Sequence, residues 1–327
     1  MKKIYILLIV VFLSFVIFSP SLASLNKVGQ TGLQFLKVDV GARAAGMGGA
    51  YLMIGQDATA MFFNPAGIAM VSQFDAFVTQ TKWIADISYN AAGAVYTWEN
   101  VGSFGINLVY ADYGEVIGTR VATNEKGFEE TGNLKSSAYA VGLTYARRLT
   151  EKFTIGGSIK SAQQHLGSNS YEDGVSQENK VSGLSFDFGT VFYPGFYPSF
   201  RLGMAVRNFS AQFKYEEESF QLPLQFIIGF AFDVLDLAGD HNNSLLFSFD
   251  YSHPRDYTPR VHFGAEYLFM GMFALRAGYK LNYDVEGASG GLGFVKDFDG
   301  FGVRLGWSYS NVEVFDAVNR FEVGFSF

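Results

Sequence analysis

Three blocks of this chain alternate apolar and polar residues without a miss, and that period of two dictates most of what the chain can become. In the last block Phe321, Val323, Phe325 and Phe327 share one face, while Arg320, Glu322, Gly324 and Ser326 share the other. In the block before it Phe301, Val303, Leu305, Trp307 and Tyr309 oppose Gly302, Arg304, Gly306, Ser308 and Ser310. Residues 273–283 set Phe273, Leu275, Ala277, Tyr279, Leu281 and Tyr283 against Ala274, Arg276, Gly278, Lys280 and Asn282. Successive side chains of a strand point to opposite faces, so each block is a strand between two different environments.

Applied along the chain, the same rule predicts strands near 73–81, 87–98, 102–112, 135–147, 152–165, 179–193 and 199–210. Seven more follow near 223–234, 244–252, 259–269, 273–282, 288–297, 301–310 and 318–327. Most are about ten residues long, the length with which a tilted strand crosses a bilayer, and longer than the usual globular strand. Connections after odd-numbered strands reach 22, 13 and 12 residues, whereas none after an even-numbered strand exceeds 9. That asymmetry is the one expected of short periplasmic turns and longer outer loops. An even strand count puts both ends of the barrel in the periplasm, and the acidic stretches 125–130, 172–178 and 216–218 in outward loops. The 34 Phe, 18 Tyr and 37 Gly against 7 Pro suit many strands joined by tight turns.

A soluble sandwich or propeller also alternates, but it buries its aromatic face and needs no asymmetric loops. Here the opposite face carries Asp187, Arg201, Arg207, Asp250, Glu266, Arg276, Lys280 and Arg304 beside many glycines. Charges of both signs inside and large apolar groups outside describe a polar lumen within a lipid-facing wall. The expected fold class is therefore all-β: a 14-stranded antiparallel transmembrane β-barrel over residues 73–327, surrounded by outer-membrane lipid. Phe325 and Phe327 match the C-terminal signal that such barrels present to the barrel insertion machinery.

The front of the chain is different. Lys2 and Lys3 precede an apolar run from Ile4 to Phe18, and Ser21-Leu22-Ala23 supplies a small-x-small cleavage site. This predicts a cleaved signal peptide over residues 1–23 and export to the outer membrane, since the run is too short to span as a helix. Without Lys2 and Lys3, 22 basic residues face 31 acidic ones, a net charge of −9. No nucleic-acid partner is expected of such a chain. It has no cysteine, which removes disulfides, thiolate metal sites and a Cys nucleophile.

Residues 24–72 do not alternate. Asp57 is a good N-cap for a short helix over the apolar residues that follow, Pro65 restricts Asn64 to extended geometry and ends that helix, and Gly67 is expected to supply a turn. The product is a compact, largely apolar piece with short helices, small enough to enter a barrel.

The run GARAAGMGGAYLMIGQDATAMFFNPAGIAMV, Gly41 to Val71, resembles the N-terminal signature of the PorV/PorQ family of outer-membrane proteins, itself related to FadL-type long-chain fatty acid transporters. The resemblance rests on Asp57, Ala58, Asn64, Pro65, Ala66 and Gly67. In the second half, Ala265 to Tyr279 and Gly290-Gly291-Leu292-Gly293 look like the family's late strands. It implies that residues 24–72 are a plug, or hatch, inside the lumen. PorV-type members serve type IX secretion and bind the C-terminal signal domains of exported proteins, whereas FadL-type members pass hydrophobic ligands. The first role implies secreted proteins or other secretion components as partners, with the loop from Tyr113 to Leu134 as the candidate grip. The second implies an apolar pocket near the plug, for which Met47, Met53, Met61, Phe62 and Phe63 are the candidates. The plainer reading is that these five pack the plug against the wall. Asp187, Arg201, Glu266, Arg276, Lys280 and Arg304 are expected to form a lumen network. If Arg276, Lys280 and Arg304 face Glu266 or Asp57, they hold the hatch shut.

No enzymatic, metal or cofactor chemistry is expected. Gly287-Ala288-Ser289-Gly290-Gly291 matches G-x-S-x-G, but it opens a strand, not the strand-turn-helix of a nucleophile elbow. His165, His241, His253 and His262 have no metal spacing. Gly46-Met47-Gly48-Gly49 lacks the rest of either nucleotide fingerprint.

Overall fold

The computed structural model describes residues 29–170, 176–215, 217–238 and 243–327. The expected signal peptide, residues 24–28 of the expected plug, residues 172–175 of the second acidic stretch, residue 216 of the third and His241 lie outside them. Fourteen strands form the wall. They are β1 Phe74–Lys82, β2 Ser88–Trp98, β3 Gly102–Val121, β4 Phe128–Thr150, β5 Phe153–Ser170, β6 Ser176–Phe192 and β7 Arg201–Ser210. The second half supplies β8 Gln225–Asp233, β9 Ser244–Pro254, β10 Arg260–Phe269, β11 Phe273–Leu281, β12 Glu286–Phe298, β13 Phe301–Val312 and β14 Val318–Ser326. Each pairs antiparallel with its neighbour in sequence, and β14 closes on β1. Val78 lies opposite Val323 in that last ladder, and Phe74 and Phe327 exchange backbone hydrogen bonds of 3.3 and 3.0 Å. Closure leaves no edge along the wall, as an apolar solvent requires.

Burial is inverted relative to a soluble protein. Leu275, Phe273, Leu292 and Phe327 are more than half exposed, while Asp187, Arg320, Asp250 and Glu266 are no more than 5% exposed. Large apolar groups outside and charges inside are stable only with lipid around the wall.

Two hairpins depart from the expected pattern. The segment Tyr113 to Leu134, expected to be a loop, is mostly ladder: β3 and β4 remain paired from Glu115↔Lys135 to Val121↔Phe128. Opposite charges face each other across it, with Glu115 against Lys135 and Arg120 against Glu129, which stabilises a ladder in water. β5 and β6 likewise run on to Ser170↔Ser176. β2 stops pairing with β3 at Ser88↔Asp112, and β4 with β5 at Ser137↔His165. Beyond those points neither edge of the β3–β4 hairpin is paired among the described residues, although Leu134 at its base lies against Gly167 of β5.

Residues 29–72 fill the lumen. They contain a 3-10 turn Gln34–Lys37, one α-helical turn Ala42–Gly46, and two further 3-10 turns, Ala58–Phe62 and Pro65–Met70. Asp57 caps the third by accepting from the Thr59 amide at 2.9 Å, and Asn64 caps the fourth by accepting from the Ala66 amide at 3.1 Å. Pro65 therefore ends one turn and begins another, where its missing N–H costs nothing. Gly67 makes no turn of its own, which corrects the expectation. It lies inside the last 3-10 segment, where a Cβ would sit 2.3 Å from the Gly55 carbonyl oxygen.

The same device joins plug to wall. A Cβ on Gly278 would lie 2.0 Å from the Gly48 nitrogen, on Gly156 2.5 Å from the Ala66 nitrogen, and on Gly189 1.9 Å from Asn64 Oδ1. The inward glycines are dimples into which the plug backbone seats. Gly278→Val should therefore leave the barrel able to form but unseat residues 47–48, at a cost of about 1–3 kcal/mol from overpacking. Heat-modifiable migration should persist while protease cuts appear within residues 42–60; a protected plug would show that the close approach is not required.

Candidate functional site

The barrel's own ends, Phe74 and Phe327, mark the near end of the lumen; the β1–β2 and β11–β12 turns mark the far end. Three tiers of charged contacts fix the plug between them.

At the near end Arg304 makes a bidentate bond to Asp75, 2.6 and 2.9 Å, and Asp75 accepts from the Ala58 amide at 2.8 Å. Asp57 Oδ2 lies 4.0 Å from Arg304 Nε. Arg304 thus reaches the plug chiefly through Asp75, a wall residue that sequence reasoning missed, and only secondarily through Asp57. Nearby, Arg201 donates to the Met53 carbonyl at 2.6 Å, and Asn64 donates to the Thr190 and Leu52 carbonyls at 3.1 and 3.3 Å.

In the middle tier Glu266 receives two arginines. Arg276 on the adjacent strand approaches to 2.5 Å, and Arg43 of the plug makes a fork of 2.9 and 2.6 Å. Glu322 accepts from the Ala42 amide at 2.8 Å and Asp250 from the Leu52 amide at 2.8 Å. Wall carboxylates thereby meet plug amides, at a helix start and in a turn, that the plug's own backbone leaves without a partner.

At the far end Lys280 bridges Asp39 of the plug, at 2.8 Å, and Glu286 of β12. Asp256 accepts from Thr31 at 2.7 Å and Lys37 at 3.0 Å. Burial alone raises the Asp39 carboxyl, but Lys280 and Arg320 outweigh it and hold it at about 2.

Of the six residues expected in the lumen network, Arg201, Glu266, Arg276, Lys280 and Arg304 lie in these plug contacts. Asp187 does not. It pairs with Lys160 at 2.8 Å and accepts from the Asn208 amide at 2.7 Å. This spans a register shift between β6 and β7, so it mends the wall. Arg43 and Asp39 went unread because the plug has no period to assign their direction.

The five candidate pocket residues divide. Met53 packs against Gly203, Met61 against Gly93 and Gly105, and Met47 against Gly264. All three are at most 2% exposed. Met61 and Phe62 border a void of about 20 Å³ beside Phe35 and Lys160. Phe63 alone of the five lines the larger space, a vestibule of about 260 Å³ at the far end. Its walls also include Asp39, Arg207, Arg260 and Lys280, so it is not the apolar pocket expected near the plug. Phe325 and Phe327 lie on the outward face, 43% and 56% exposed. Ser289 of the G-x-S-x-G match sits within β12 and donates to the Gly46 carbonyl at 3.4 Å, which makes it another plug contact.

Two outcomes follow. Replacing Arg276 and Arg304 by alanine leaves Asp75 without its buried cation, at about 3–5 kcal/mol, and Glu266 with Arg43 alone. Conductance in planar bilayers and antibiotic uptake by cells should rise; an unchanged barrier would show that these residues do not secure the plug. The Asp39 contribution, with its folded value depressed, is complete above the ordinary carboxylate range and lost only as pH falls through about 2. Trp83 fluorescence beside the vestibule should therefore change below about pH 4 in a step that Asp39→Asn removes; a step that persists in the folded variant would contradict the Asp39–Lys280 pair.

The fold resembles solved outer-membrane channels. The Pseudomonas putida toluene transporter TodX superposes with a TM-score of 0.55 at 13% identity, covering 88% of this chain and 97% of that one. A Pseudomonas aeruginosa FadL homologue gives 0.56 at 14% identity, covering 88% and 98%. No curated protein matches the sequence. The family model described as type IX secretion system protein PorV matches residues 22–253, which take in the plug, both projecting hairpins and more than half of the wall. A plugged, 14-stranded outer-membrane barrel with that match belongs to the PorV family.

Proposed function

We propose that this barrel serves type IX secretion by docking exported proteins at its far end, which faces outward when both barrel ends lie in the periplasm. The observation that carries this reading is the β3–β4 hairpin. Its edges are unpaired among the described residues, and Val116, Ile117 and Val121 on it are 54%, 59% and 89% exposed. A free edge with exposed apolar side chains is a template for strand addition by an extended or β-rich partner. The plug contacts support the same reading, because a lumen fixed at three levels suits a docking protein better than a pore. Phe325 and Phe327, outward at the closing strand, suit recognition by the insertion machinery.

The second reading is a channel for hydrophobic small molecules such as fatty acids, favoured by the fold likeness to a toluene transporter. Against it stand the committed packing of Met47, Met53 and Met61 and the charged vestibule. Serine at Val116, Ile117 and Val121 together should lower capture of exported proteins by the purified barrel about tenfold and leave them in the periplasm. Full secretion by a folded triple variant would sink the docking role. Fatty acid-like ligands found by mass spectrometry in mild detergent, with no protein partner, would favour the second reading.

A further inference from the structure

The vestibule cations are not all alike. Lys280 is held by Asp39 and Glu286, and Lys37 by Asp256. Arg207 and Arg260 line the same space and have no carboxylate within salt-bridge distance among the described residues. Each is 8% exposed. Arg207 makes one long bond, 3.5 Å, to the Leu36 carbonyl, and its guanidinium lies 5.5 Å from the centre of the Phe63 ring. Arg260 sits by Tyr257 and Tyr283, 4.3 and 4.0 Å from their ring centres. The Nε atoms of both arginines are buried without a partner, as are the Gln225 amide oxygen and Asp250 Oδ1.

A guanidinium carries five donors in a planar fork, and leaving them unmet in a buried site is costly. Aromatic neighbours hold such a fork without using its donors, which stay available to a planar acceptor. Phe35, Phe63 and Ile227 give the same space an apolar side. Lys37 and Lys280 line it with Asp39, Asp250 and Glu286, so with Arg207 and Arg260 four cations face three carboxylates, a balance that suits an anion of a single charge. A volume of about 260 Å³ has room for a body the size of one ring.

We propose that the vestibule binds a small monocarboxylate, its carboxylate received by Arg207 and Arg260 and its body resting on Phe35, Phe63 and Ile227. The site is independent of the docking role, since neither arginine lies on the projecting hairpin.

The test uses the full-length barrel folded in detergent, titrated calorimetrically with benzoate, with its neutral analogue benzyl alcohol, and with inorganic phosphate. Benzoate should bind at least about tenfold more tightly than either of the others, the margin expected of a charge-assisted fork. Arg207→Gln and Arg260→Gln should each weaken benzoate about tenfold and leave benzyl alcohol unchanged, with heat-modifiable migration verifying the fold. Arg207→Lys and Arg260→Lys, which keep the charge and lose the fork, give the same readout if a glutamine variant does not fold, and should also weaken benzoate. Equal binding of benzoate and benzyl alcohol, tighter binding of phosphate, no benzoate binding up to about 10 mM, or folded variants that bind as the parent does would each overturn the proposal.

Discussion

A closed ring of fourteen strands encloses more space than its own side chains fill, and the rest of this structure answers that constraint. Eight strands bring an interior to about the size that side chains can pack, and wider barrels hold water, ligand or protein. Here the filler is the chain's own N-terminal segment. A segment in short turns brings many backbone amides without partners into a place with little water, so the wall must supply acceptors. Glu322, Asp75 and Asp250 do this directly, receiving Ala42, Ala58 and Leu52.

Those carboxylates in turn require cations, which is why the inward face is charged and not merely polar. Glu266 shows the logic most fully, since it takes one arginine from its own sheet and one from the plug. A buried pair adds little net stability over well-packed apolar groups, but removing one partner is expensive. The arrangement therefore specifies a position more than it adds cohesion. A plug held only by apolar contacts could slide along the lumen axis, whereas one with Arg43, Asp39 and Lys37 each matched at its own level has one register.

The wall was legible in the sequence because its period is local. Phe273 to Leu281 announces a strand whatever surrounds it, and all fourteen strands lie where alternation puts them. Legibility failed where the two faces stop differing. From Tyr113 onward β3 has water on both sides, so Val116 and Ile117 can stand adjacent and the strand reads as loop. In the plug, capping chemistry was readable at Asp57 and Asn64, but direction was not. Nothing local says that Arg43 meets Glu266, 223 residues away, or that Asp75 rather than Asp57 is the chief partner of Arg304. Gly67 was misread for the same reason, because a turn glycine and a close-approach glycine look identical until the neighbour is known.

The tiers also divide the molecule by function. Near and middle contacts join the plug to strands on opposite sides of the lumen, from β6 and β7 round to β13 and β14, and leave no cation without an acceptor. At the far end the accounting is incomplete: Lys280 and Lys37 are paired, yet Arg207 and Arg260 line the vestibule without a carboxylate partner among the described residues. A network built only to fix the plug would have no reason to keep two buried guanidiniums beyond those it matches, and apolar residues of similar volume would serve at lower desolvation cost. The surplus lies beside a vestibule large enough for a small ligand, on the side of the barrel from which the β3–β4 hairpin rises. Fixing the plug and meeting the outside are thus carried by different residues of one inward face.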